Sequence, residues 1–255
     1  MTDVRAQQER AANPLAGYWL LLRWGAGDIA AFLPIIIGIQ VILSVAIILG
    51  FGLLMPDVDH ATAQYLATGA PTMLLITVGL VVAPQAVGTQ KAKGAFDWFR
   101  TLPVPRVAYL LADLTVWTVA ALPGLAVALL TAWWRYGVEF QLAPTVVPAV
   151  VLVSLGTATI GYAVAVLLPQ QVSMMVTQVL IFFTLLFSPI TYPASNLPGW
   201  LQTVHAWLPF EAMGDVVRAS LISGTFDASG RDYLVLIAWC VAAFAGCAAV
   251  MTRRT

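Results

Sequence analysis

Residues 33–54 read LPIIIGIQVILSVAIILGFGLL, an unbroken apolar run without one charged side chain. A helix needs about 20 apolar residues to cross the hydrocarbon core of a bilayer. The run is continuous, not alternating, which excludes the strands of a membrane barrel. Five further stretches repeat it, near Leu66–Ala86, Ala108–Ala132, Pro144–Leu168, Val172–Phe187 and Tyr233–Met251. The expected fold class is an all-α integral membrane protein, one transmembrane domain of six helices over residues 1–255.

Composition points the same way. Of 255 residues, 60% are hydrophobic and 9% charged, where a soluble domain carries about 25% charged residues. Formal net charge is zero, so nothing suggests a nucleic-acid partner. Cys240 and Cys247 lie within the last apolar stretch. On a helix they are separated by roughly 10 Å of rise, too far for a mutual disulfide. The opening Met1–Asn13 is polar and charged, so no cleavable signal is expected and the first span serves as the insertion signal.

Charge distribution sets the orientation. Six spans put both termini on one side, together with Arg5, Arg10, Arg23, Lys91, Lys93, Arg100, Arg106, Arg253 and Arg254. The other side keeps Arg135, Arg218 and Arg231, and most of the acids, among them Asp57, Asp59, Glu139, Glu211, Asp215, Asp227 and Asp232. Nine basic residues against three predict cytoplasmic termini by the positive-inside rule.

Three segments do not span. Residues 14–32 carry Tyr18, Trp19, Leu21, Leu22 and Trp24 around Arg23, with Asp28 beyond, which suits a helix lying in the cytoplasmic interface. Pro34 marks the bend into the first span. The second segment is the basic loop, residues 88–107. The third, Ser188–Gly230, is far too long for a plain connection. Ser195 or Asn196 is placed to cap a short helix with Pro198 in its first turn. Trp200, Val204 and Trp207 then share one face. Leu208-Pro209-Phe210 breaks that helix, and a second begins near Glu211, with Phe210, Met213, Val217 and Leu221 as its apolar stripe. The expectation is a re-entrant outer hairpin over 188–230.

Within the spans, Thr157, Gly161 and Ala165 form a small-xxx-small ladder that allows close helix packing. Pro123-Gly124 predicts a kink in the third span.

Several chemistries are missing from the chain. There is no G-x-x-x-x-G-K-[ST] phosphate loop and no H-E-x-x-H zinc motif. His60 and His205 are the only histidines, both outside the spans, and no G-x-S-x-G elbow occurs. Catalytic and metal-binding residues are therefore expected to be none. Asp113 is the single acid inside a span, near the cytoplasmic face, where interfacial water or a basic neighbour is in reach. Without midspan charges an external energy source is expected. An ATP-independent secondary transporter or channel, or a membrane enzyme or scaffold, stays open at this point.

Two motifs add a resemblance. The basic loop holds Gly94-Ala95-Phe96-Asp97 and ends Thr101-Leu102-Pro103-Val104-Pro105-Arg106. The outer segment holds Pro193, Leu197-Pro198-Gly199-Trp200-Leu201-Gln202, Leu208-Pro209 and Arg218. In this order within a six-span frame, the chain resembles the ABC-2 type permeases, the membrane subunits of type V ABC exporters of drugs, lipids and polysaccharides. Asp97 stands where that family has Glu, and Leu102 and Pro105 are additions to its pattern.

The resemblance implies a permease of the bacterial cytoplasmic membrane that works as a dimer, with itself or a homologous permease, and with two ABC ATPase subunits. ATP and Mg would be held by those ATPases, with no cofactor in this chain. The loop would form a coupling helix in a cleft of the ATPase, with Asp97 and Arg100 as charge partners and Phe96, Trp98 and Phe99 as aromatic anchors. Spans two and five would face the pathway, span five offering Met174, Met175, Gln178, Phe182 and Phe183, and span one Gln40. Flexible Met and flat aromatic surfaces suit bulky hydrophobic or amphipathic substrates, as in multidrug transport.

Overall fold

The computed structural model describes residues 14–54, 58–94 and 106–252. Ten α-helices occupy most of them. α1 is Pro14–Ala30 and α2 is Leu33–Leu54. α3 (His60–Thr77), a π-helical turn (Val78–Val82) and α4 (Ala83–Ala92) run on as one helix. α5 is Arg106–Tyr136, α6 Val146–Leu167 and α7 Gln170–Phe187. After a 3-10 turn at Ala194–Asn196 come α8 (Gly199–His205), α9 (Pro209–Leu221) and α10 (Gly230–Thr252). Six helices, α2, α3–α4, α5, α6, α7 and α10, are long and apolar enough to cross a membrane, and the protein is an all-α membrane protein.

The second of these is the hub. Of its most apolar window 83% is buried, against 17% in α7 and 11% in α10, because α2, α5, α6, α7 and α9 pack around it. Asp59 starts it, accepting the Thr62 N–H at 2.9 Å, and those bonds hold its carboxyl below the usual value. The helix runs from His60 to Ala92, well beyond the apolar stretch in the sequence, because its first and last turns are polar but good helix formers. Pro84 has no N–H for the Leu80 carbonyl, and the turn before it widens, the Ala83 N–H reaching Val78 O.

That π-turn packs on α6. A Cβ on Gly161 would collide with the Gly79 carbonyl, and a Cβ on Gly79 would collide with Thr157. Backbone meets backbone here because neither residue has a side chain, and Thr157, Gly161 and Ala165 are all buried in the crossing. On its other side α6 packs against α10, while α5 carries α1, α2 and α3.

Tryptophans mark two bands. Trp133, Trp134, Trp200 and Trp207 are exposed at the end holding α8 and α9, and Trp19 and Trp24 at the end holding α1. Such belts are what headgroup layers attract.

The short helices differ in detail from the sequence expectation. The N-cap of α8 is Pro198, not Ser195 or Asn196, which lie in the 3-10 turn. α8 ends at His205, and Pro209 opens α9, two residues before the expected start near Glu211, where its missing N–H costs nothing. Phe210, Met213, Val217 and Leu221 are buried as one stripe, while Trp200, Val204 and Trp207 face outward. Arg231 of α10 donates to Ala206 O at 2.9 Å and Trp239 Nε1 to Trp207 O at 2.9 Å, pinning the end of α8.

Candidate functional site

Phe96, Asp97, Trp98, Phe99 and Arg100 lie outside the described residues. The structure gives the stems that hold them. On one side α4 closes at Gly94, whose φ of 77° suits the left-handed residue after a helix. On the other, α5 begins at Arg106.

Met174, Met175, Gln178 and Phe182 come together on the uncovered side of α7. The reason is compositional. Ser173, Thr177 and Thr184 are small and turn into the bundle, where Thr177 and Thr184 donate to Ser173 O (3.0 Å) and Leu180 O (2.8 Å) of their own helix. The bulky residues are left outside. Val172, Met175, Val179, Phe182 and Leu186 are exposed at alternating steps of three and four, the spacing of a coiled-coil seam.

Phe183 turns away from that face. Its ring stacks on His205 with centroids 5.7 Å apart and planes at 18°. His205 is fully buried, and neither ring nitrogen has a hydrogen-bond partner. Burial pushes its pKa below 6.5. Unfolding therefore takes up a proton at this site. The stability it lends is complete above pH 6.5 and is lost as pH falls through and below that value. His205→Phe, which keeps the stack and removes the titration, is expected to lower acid sensitivity while melting near wild type at pH 8. Thermal melts at pH 5 and pH 8 check this, and a variant as acid-sensitive as wild type contradicts it.

Gln40 is not on the α7 face. It is buried between α2 and α5, close to Pro123. Pro123 cannot donate to the preceding turn, and Gln40 Nε2 donates into that turn at Ala120 O, 2.9 Å away. Gly124 makes room, since a Cβ there would strike the Gln40 side chain. Gln40 Oε1 keeps no partner.

Asp113 lies two turns into α5 and is 9% exposed. No ion pair joins it to a basic side chain among the described residues. Among the described residues Arg218–Asp215 is the ion pair, and Asp113 Oδ2 has no hydrogen-bond partner. Tyr162 OH, also buried, has none either.

Sequence reasoning missed Arg218 by counting it with the outer-loop charges. It is 2% exposed. Its guanidinium donates to Asp215 Oδ1 at 2.6 Å, to Ile190 O at 2.6 Å and to Thr68 Oγ1 at 3.3 Å. It also lies 4.1 Å over the Tyr65 ring and 5.5 Å from that of Phe226. One side chain thus ties α9 to α3 and to the turn after α7. The signal was available: Arg218 falls between Val217 and Leu221, on the stripe that α9 buries. Burial raises the pKa of Asp215, and Arg218 opposes that shift. Glu211 Oε2, nearby on α9, is buried without a partner, and burial pushes its pKa up as well.

A family model described as ABC-2 family transporter protein matches residues 55–249. That covers the chain from before α3 to three residues short of the end of α10. No curated protein matches it.

Proposed function

The chain belongs to the ABC-2 family of transporter proteins, and on that premise we propose that it is the permease subunit of an ATP-driven exporter of hydrophobic or amphipathic, drug-like or lipid-like molecules. The observation that carries this reading is the uncovered face of α7 in a chain of that family. Val172, Met175, Val179, Phe182 and Leu186 form a bulky apolar seam that one copy of the chain leaves open. A second copy, or a homologous permease, supplies the missing wall. The pathway runs between the two α7 faces, with Met174, Met175 and Phe182 as adaptable apolar contacts and Gln178 as a hydrogen-bonding group. Gln40 serves this reading as a tie between α2 and α5 at Ala120 O, and Phe183 as a backing for the outer hairpin.

The ATPases are separate subunits, two per transporter, which bind ATP and Mg. They dock on the 95–105 loop through Asp97 and Arg100, flanked by Phe96, Trp98 and Phe99. The membrane is the bacterial cytoplasmic membrane, with the loop and both termini on the cytoplasmic side, as the basic residues favour. The α8–α9 hairpin closes the outer end.

Pairing is tested with Val179→Cys in a chain whose Cys240 and Cys247 are replaced by serine. Oxidation of membranes is expected to give a disulfide-linked dimer, with a yield that changes when ATP and vanadate trap the transporter. A chain that stays monomeric under oxidation in both states contradicts the shared pathway.

A further inference from the structure

Lys91 and Gln90 are consecutive residues in the last turn of α4, four and five positions before residue 95, where the 95–105 loop begins. The sequence places Lys91 among the loop charges that fix topology. Its ammonium is not free. It donates to Val166 O at 2.8 Å, Leu168 O at 3.0 Å and Ala165 O at 3.4 Å.

Those acceptors have a common origin. α6 stops at Leu167 because Pro169 follows and disfavours helical backbone at the residue before it. The last four carbonyls of a helix lack intrahelical donors and carry the negative end of its dipole. An ammonium has three donors and no acceptor. Lys91 spends all three on this one helix end, so α4 and α6 are joined by charge-assisted bonds at half-buried depth.

Gln90 makes the complementary ties. Its Oε1 accepts from Tyr109 OH of α5 at 3.3 Å, and its Nε2 donates to Asp28 Oδ2 of α1 at 3.4 Å. Tyr109 stands just past the far stem of the same loop. These bonds are long and neutral or exposed, and so weaker than the Lys91 set.

We infer that Gln90–Lys91 is the transmission joint of the transporter: Lys91 carries displacement of the 95–105 loop into α6, and Gln90 carries it into α5 and α1. This rests on the ATP-driven reading above. Both are positioning residues. Neither touches nucleotide, and in this geometry neither touches the α7 face.

The test uses the permease co-purified with its ABC ATPase and reads backbone hydrogen exchange with and without ATP plus vanadate. In the wild-type complex, nucleotide is expected to change exchange at 88–94, at 106–112 and at 164–170. Lys91→Met is expected to shrink the nucleotide-dependent change at 164–170 by about fivefold or more, the loss of a set of charge-assisted bonds, and to leave 106–112 responding. Lys91→Arg, which still donates to carbonyls, restores the response. Gln90→Leu gives the reciprocal pattern, losing the change at 106–112 and keeping it at 164–170, and it decides the matter if Lys91→Met does not fold. Exchange at 164–170 that rises equally with and without nucleotide in Lys91→Met, or a full wild-type response there, overturns the joint. A wild-type complex in which no segment responds to nucleotide overturns the ATP-driven reading instead.

Discussion

Arg218→Met is expected to be the most destabilising single substitution in the half of the protein that holds α8 and α9. Removing one member of a buried ion pair costs about 3–5 kcal/mol, because the other charge is stranded. Here the lower end applies, about 3 kcal/mol, since Asp215 is 32% exposed and can recover water. The Ile190 carbonyl and the Thr68 hydroxyl have no such escape, and each buried polar group left unpaired adds to the loss. Methionine fills part of the space between Tyr65 and Phe226 but donates nothing. Arg218→Lys is expected to recover about half, because an ammonium is a point charge and cannot reach three acceptors in one plane. Arg218→Met combined with Asp215→Leu is expected to melt higher than Arg218→Met alone, since the stranded carboxylate is gone. Thermal melting in detergent checks the series. An Arg218→Met protein that melts with wild type would mean that α9 is held by its apolar stripe alone.

The consequence for transport follows from where the side chain sits. Arg218 joins the hairpin to the central helix through Thr68 and Tyr65 and to the end of the α7 segment through Ile190 O. An outer gate that opens by moving the hairpin must break these contacts together. Partial release in Arg218→Lys is therefore expected to loosen the outer end before it unfolds the bundle.

The spans were legible in the sequence because crossing a bilayer imposes a continuous apolar run, and no other element of a soluble or membrane protein looks like Leu33–Leu54. The Thr157–Gly161–Ala165 ladder was legible for a similar reason, since three small residues at helical spacing leave a groove that only another backbone fills. Helix ends were harder. Hydropathy reports where lipid begins, not where hydrogen bonding stops, so the polar turns at His60–Gln64 and Gly88–Lys91 were placed outside the spans although they are helical.

Polar side chains were the least legible. Gln40 reads as a lone amide in an apolar span, which suggests a pathway, yet it donates to the Ala120 carbonyl of another helix. Lys91 reads as a topological charge, and its acceptors lie more than seventy positions away at the end of α6. Arg218 reads as an outer cation although its register places it on the buried stripe. In each case the local pattern gave the residue's depth, and tertiary contact decided what it does there.

The central claim, that ATP hydrolysed on a separate subunit drives this chain, is tested most directly by co-purification with its ABC ATPase in detergent. Wild type and the double reversal Asp97→Arg/Arg100→Glu are compared. Reversing two charges that face complementary groups in a docked interface replaces attraction with repulsion and costs several kcal/mol. That is enough to move a micromolar complex beyond detection. The double variant is expected to stay monodisperse and melt as wild type does. The account predicts a stable wild-type complex that hydrolyses ATP and is lost in the double reversal. A wild-type chain that purifies folded without any ATPase, and whose transport is indifferent to the reversal, would contradict it.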